Sequence, residues 1–240
     1  MRRFEKNKPV HIFSRALADV FREKDDCYRF IFQFFAANLG KRGTNVFAKD
    51  AVNAGEALLW GEDIPQNFVI KEHPPLVDLI DFSLVVNHNH FYLSPNTEDA
   101  IPALMRRLNN GFAKFFNITH NRKDAVFGSR YKSVEIENDR QSYVISRYIS
   151  VINPLDVFQP GWRAEGLKDW KKAKEFLENY EFSSFLDRIG KRSSKILAPP
   201  AILEQHSFGI SPTGKEEYRE FVEEFLKERQ GKDFPSLSLE

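Results

Sequence analysis

Cysteine is nearly missing from the 240 residues: Cys27 stands alone. A disulfide framework within the chain is excluded, as is a zinc centre built from several thiolates, and a reducing, cytoplasmic setting fits best. Long apolar runs are lacking too. The most apolar stretch, FIFQFFAANL at 30–39, is too short to cross a bilayer, and no secretory apolar segment follows the basic start MRRFEKNKPV. No membrane association is expected. Nor does one sign of charge dominate: 35 Lys and Arg face 34 Asp and Glu, a formal net charge of +1, so only local clustering can point to a polyanion. Phenylalanine is abundant, with 23 residues in an otherwise ordinary composition of 42% hydrophobic and 29% charged residues, enough for a sizeable core. The length fits one elaborated domain or one domain with an appendage, and no repeat array.

Periodicity predicts a short strand at 9–15 and an aromatic helix at 25–39 that Gly40 ends. A mixed stretch follows to Pro75, with a short helix near 48–59; it reads as an insertion wrapped on the core. Residues 76–95, LVDLIDFSLVVNHNHFYLSP, are a strand pair or one long bent strand. Asn96 or Thr97 then caps a helix whose stripe is Ile101, Leu104, Leu108, Phe112, Phe115 and Phe116, ending near Asn117. A further strand is expected within 125–137 and a helix at 139–152, stopped by Asn153-Pro154. Two more helices carry the stripes Trp170, Ala173, Phe176, Leu177, Tyr180 and Tyr218, Phe221, Val222, Phe225, Leu226. This order suggests an α+β fold with an antiparallel sheet.

Three constellations could carry chemistry. His88 and His90 are two apart in a strand-like context, so both imidazoles leave the same face and can converge on one divalent metal, although an H-x-H arises often enough by chance that two ordinary strand histidines explain it as well. Tyr148 lies in the helical segment SYVISRYISVINP, and a tyrosine hydroxyl can attack phosphorus; the plain alternative is core packing, since Val144, Tyr148 and Ile152 recur at i, i+4. Residues 105–132 hold seven basic side chains, Arg106, Arg107, Lys114, Arg122, Lys123, Arg130 and Lys132, against Asp124 alone, with Phe127 and Tyr131 interleaved, a pattern suited to a phosphate backbone whose bases stack on rings. Residues 216–228, with six glutamates, point instead to packing or protein contacts.

Taken in order, VHIFSRA at 10–16, DDCYRFIFQFFAANLG, LVVNHNHFYL at 84–93, MRRLNNGFAKFFNITHNRKDAVFGSRYKSVEIEND at 105–139, SRYISVINPLDVFQPGW and LKDWKKAKEFLENYEFSSFLDRIGK resemble the single-tyrosine HUH transposases, specifically their REP-associated tyrosine transposase branch, within the insertion-sequence-200-like family. The resemblance implies a ferredoxin-like (RRM-like) antiparallel sheet with helices on one face, formed by residues 1–160 around the 41–75 insertion, and a helical C-terminal extension over 161–240. It implies His88 and His90 as ligands of Mg²⁺ or Mn²⁺, Asn153 of the Asn-Pro step as a third ligand, and Tyr148 as nucleophile. The implied activity is that of a transposase: cleavage and rejoining of single-stranded DNA beside a hairpin through a 5′-phosphotyrosine link, without ATP. Arg106, Arg107, Arg130 and Lys132 would contact phosphates and Tyr131 would stack on a base, with Lys114, Arg122 and Lys123 in the same basic segment. The target hairpin is open, as is the choice between monomer and homodimer.

Three positions depart from the family pattern. Asn89 replaces a hydrophobic residue between the histidines, Val86 replaces a proline, and Tyr148 lies five residues before Asn153 where four is usual. One added residue turns a side chain by about 100° on an α-helix, so Tyr148 and Asn153 share a face only if a π-bulge absorbs it. A hydroxyl returned to the histidines favours an enzyme; one buried away from them favours a hairpin-binding protein that no longer cleaves. An unrelated metal-dependent hydrolase would need a carboxylate, Asp81 or Glu135, beside the histidines.

Overall fold

The computed structural model describes residues 3–205 and 214–234. Strand β1 (Val10–Arg15) leads into α1 (Lys24–Leu39), followed by β2 (Gly40–Arg42), α2 (Ala48–Leu59) and β3 (Val69–Lys71). Strands β4 (Val77–Val85) and β5 (His88–Pro95), helix α3 (Ala100–Thr119) and strand β6 (Lys132–Glu135) complete the sheet-forming part. The four long-range strands pair in the order β4-β5-β1-β6, every neighbour antiparallel. Set aside β2 and β3, which pair only with each other, and the connectivity is βαββαβ with the ferredoxin-like strand order.

Alternation sorts the side chains. Val10, Ile12, Phe82, Leu84, Phe91 and Leu93 face α1 and α3, meeting Phe30, Phe34, Leu104, Leu108 and Phe112 in the first core. The opposite face is covered as well. Ile80 and Tyr92 meet Ile145, Tyr148, Ile149, Ile152 and Leu155, and behind these pack Trp162, Leu177, Phe185, Tyr218 and Leu226. Helices therefore lie on both faces of the sheet, and the second layer, which includes C-terminal residues, carries the tyrosine. Residues 206–213 and 235–240 of the expected extension lie outside the described residues.

The insertion forms α2 and the β2–β3 pair. At Gly55 a Cβ would stand 1.9 Å from the Tyr28 carbonyl oxygen of α1, so only glycine permits this approach of the two helices. The strand expected over 125–137 shortens to β6, which pairs with β1 from Val10 to Phe13; the chain before it touches the sheet by a single bridge, Ala16 to Phe127. Helix α3 begins at Ala100 with Asp99 at the cap, so Asn96 and Thr97 precede the cap and Glu98 and Asp99 are outside the first turn.

The helix expected to stop at Asn153-Pro154 continues. Asn138 caps α4 (Asp139–Arg147) by accepting from the Gln141 amide at 3.0 Å. Residues Tyr148–Ile152 form a π-helical turn, and α5 (Asn153–Phe158) follows on. The Asn153 amide reaches back five residues to the Tyr148 carbonyl, and Pro154, at the start of the next segment, lacks an N–H where little is lost. Beyond lie α6 (Trp162–Glu165), α7 (Trp170–Leu177), α8 (Phe185–Arg188), α9 (Pro200–Gln205) and α10 (Lys215–Arg229). No described helix is long and apolar enough to cross a membrane.

Candidate active site around Tyr148

Two adjacent central strands supply three imidazoles. His88 and His90 leave β5 on the same face as Tyr92, and His11 leaves β1 on that face, because Phe13 pairs with His90 and His11 with Tyr92. The His88 and His90 ring centroids are 6.0 Å apart. His11 Nε2 and His90 Nδ1 share a hydrogen bond of 3.1 Å, and their rings stack 5.4 Å apart. Phe13 stacks on both, at 5.2 Å from His11 and 5.7 Å from His90.

Burial holds the two inner imidazoles neutral. It lowers the pKa of His11 to about 3, and it takes His90 well below the usual histidine range, with His11, His88 and Arg163 adding to the effect. A neutral imidazole keeps a lone pair for a metal. If His90 donates from Nδ1 to His11, its Nε2 is left as the free lone pair, the usual way a neighbour fixes the tautomer of a ligating histidine.

The π-turn brings the tyrosine here. Its ring meets His90 edge-on at 5.8 Å and His11 at 6.2 Å. Arg163 of α6 lies over the same ring, its guanidinium carbon 5.2 Å from the centroid. It also donates from Nη2 to Asn153 Oδ1 at 3.1 Å. Tyr148 and Asn153 thus converge on one guanidinium despite their spacing of five. Asp156 anchors Arg163 by accepting from Nε at 3.0 Å and Nη2 at 2.6 Å. Burial lowers the pKa of Arg163, but Asp156, followed by Tyr148, outweighs it and the net shift is upward.

A divalent ion is compatible with this donor set. Two imidazoles share one side of the sheet, and buried Asn153 has an unpartnered Nδ2 and an Oδ1 with one lone pair left beside Arg163. No carboxylate joins them: among the described residues no three His, Cys, Asp or Glu side chains are grouped for a metal. Asp81 accepts from Ser146 Oγ and Ser184 Oγ, each at 2.7 Å, and forms a two-pronged pair with Arg188. Glu135 pairs with Lys8 at 3.2 Å. Both carboxylates named for the hydrolase alternative are engaged elsewhere.

The basic segment divides. Lys132 is exposed on β6 with its ammonium 5.2 Å from the Phe13 ring centroid, beside the histidines. Arg130 is exposed and Tyr131 half-buried just before it. Arg106, Arg107 and Lys114 project from α3, on the opposite side of the sheet from Tyr148. Arg107 turns to the insertion, within 2.6 Å of His73 Nε2 and 4.0 Å of Glu72. Arg122 covers Phe116 and Lys123 is exposed.

Residue spacing missed His11, Arg163 and the exposed Arg15, which pairs in register with His88. For His11 a signal existed: it lies one alternation from Phe13 in the run VHIF. Nothing local marks Arg163.

No protein-family model matches the chain, and no curated protein matches it. Among solved structures, the chain is similar to one described as a REP-associated tyrosine transposase bound to a REP hairpin. Identity is 13% and the TM-score 0.44, covering 83% of this chain and 90% of that one.

Proposed function

We propose that the protein is a metal-dependent transposase that cleaves and rejoins single-stranded DNA beside a hairpin, with Tyr148 as nucleophile. The observation that carries this reading is the π-turn, which brings Tyr148 edge-on to His90 and within the reach of the guanidinium that holds Asn153. A tyrosine serving only as core filler needs no cation over its ring.

In the proposed reaction the Tyr148 Oη forms a bond to the scissile phosphorus and the bond from phosphorus to the 3′-oxygen breaks. The phenol gives up its proton and the departing oxygen takes one up, so a 5′-phosphotyrosine ester and a free 3′-hydroxyl result. The ester conserves the energy of the phosphodiester, and the reverse attack rejoins the strand without ATP. His88 and His90 with Asn153 Oδ1 would hold Mg²⁺ or Mn²⁺, which when bound would withdraw charge from the phosphate. His11 fixes the His90 ring, and Arg163 holds the phenol. Lys132, with Arg130 and Tyr131 preceding it, meets the strand on the sheet edge next to the histidines, while Arg106, Arg107, Lys114, Arg122 and Lys123 are available to other parts of a DNA hairpin.

One observation favours a second reading, a hairpin-binding protein that does not cleave: Tyr148 is only 1% exposed, so a phosphate must be admitted before it can react. A denaturing gel separates the two. Purified protein is incubated with Mn²⁺ and labelled hairpin DNA flanked by single strands from its own locus. The proposed function predicts a slow-migrating covalent adduct that Tyr148→Phe and His88→Ala abolish; tight hairpin binding with no adduct establishes the second reading instead.

A further inference from the structure

Arg163 stands on a four-residue helix entered through Gly161 at φ 85, a turn that reverses the chain toward Tyr148. Its neighbour Trp162 is buried and donates from Nε1 to Asp156 Oδ1 at 2.9 Å, and the Arg163 carbonyl accepts from the Phe234 amide at 2.6 Å. Backbone and side chain are thus both fixed. An ion pair as exposed as Asp156–Arg163 typically contributes little to stability. Stability alone gives little reason to lay this guanidinium over a buried phenol.

The contacts suggest another role. With Nε and Nη2 engaged by Asp156 and Asn153, the guanidinium still lies over the tyrosine ring, 5.2 Å from its centroid. A cation fixed over the ring face limits the motion of that ring. We infer that Arg163 is a positioning residue for strand cleavage, holding the Tyr148 ring and the Asn153 side-chain carbonyl in register across the π-turn. This rests on the cleavage reading above. Lysine cannot replace it, because a single ammonium does not grip Asp156 two-pronged while also reaching Asn153 and Tyr148.

The test measures adduct formation at saturating hairpin DNA with Mn²⁺, and hairpin affinity separately in metal-free buffer. Arg163→Ala is expected to slow adduct formation by about 100-fold, the cost of misplacing a reacting group by about 1 Å, with hairpin affinity unchanged. Guanidinium ion, well below denaturing concentration, should restore about tenfold of that loss, and Arg163→Lys should stay slow. Urea unfolding of both variants reports on the fold. The inference is overturned if Arg163→Ala forms adduct at the wild-type rate. It is equally overturned if guanidinium gives no rescue, or if affinity and folding fall in step with rate, since Arg163 then only supports the fold. Absence of adduct in the wild type overturns the cleavage reading itself, and the inference with it.

Discussion

Buried polar side chains report where this molecule departs from a plain core. Asn89 is fully buried with neither amide atom partnered, and Ser14, opposite it on β1, has an unpartnered hydroxyl. An unmet buried polar group costs about 1–3 kcal/mol, so Asn89→Leu, of similar size, is expected to raise stability by about that much in urea unfolding without changing hairpin binding. His11 sets a pH dependence. In the unfolded chain its imidazole takes up a proton near the usual value of 6.5, whereas in the fold it does so only at about 3. Between these values the unfolded state binds more protons, so stability falls as pH drops below about 6.5. His90, shifted in the same direction, adds to the fall. Urea midpoints at stepped pH should show this decline, and His11→Leu should flatten it. Sequence made His88, His90 and Tyr148 legible because each belongs to a local pattern. His11 escaped because its partner is 79 residues away; Arg163 escaped because it meets Tyr148 only across the turn at Gly161.

The decisive element is the helix from Asp139 to Phe158. Its extra residue was visible in the spacing of Tyr148 and Asn153, and the π-turn absorbs it. Inserting one alanine after Ser150 adds a further turn of about 100° and should abolish adduct formation while hairpin binding persists, as read on parallel denaturing and native gels. Pro154 misled because a proline at the start of a new segment closes nothing. The β4–β5 turn gives a second case. Val86 has φ 34, in the left-handed region that a β-branched residue rarely adopts and that proline, fixed near −65°, cannot enter. Val86→Gly should stabilise the fold by about 1 kcal/mol in chemical unfolding, whereas Val86→Pro should destabilise it.

At the scale of the whole molecule, two cores share one sheet, and ions join the sheet to the C-terminal residues. The Asp81 carboxylate is wholly buried, with Arg188 as its countercharge and Ser146 and Ser184 as hydroxyl donors. Removing one partner of such a pair typically costs about 3–5 kcal/mol, so Arg188→Leu should lower the urea midpoint by far more than a surface charge change. The α+β class, the strand order and the insertion could be read from periodicity and resemblance. Covering of the sheet's second face could not: the helix from Asp139 to Phe158 lies on it, and the short helices that pack behind that helix carry little pattern of their own. That layer buries the tyrosine against the histidines, and so the central claim concerns one atom, the Tyr148 hydroxyl oxygen. The most direct measurement is tandem mass spectrometry of protein incubated with Mn²⁺ and hairpin DNA, then digested with nuclease and protease. The account predicts a nucleotide joined through its 5′-phosphate to Tyr148. An adduct on another residue, or intact bound hairpin with unmodified Tyr148, would contradict it.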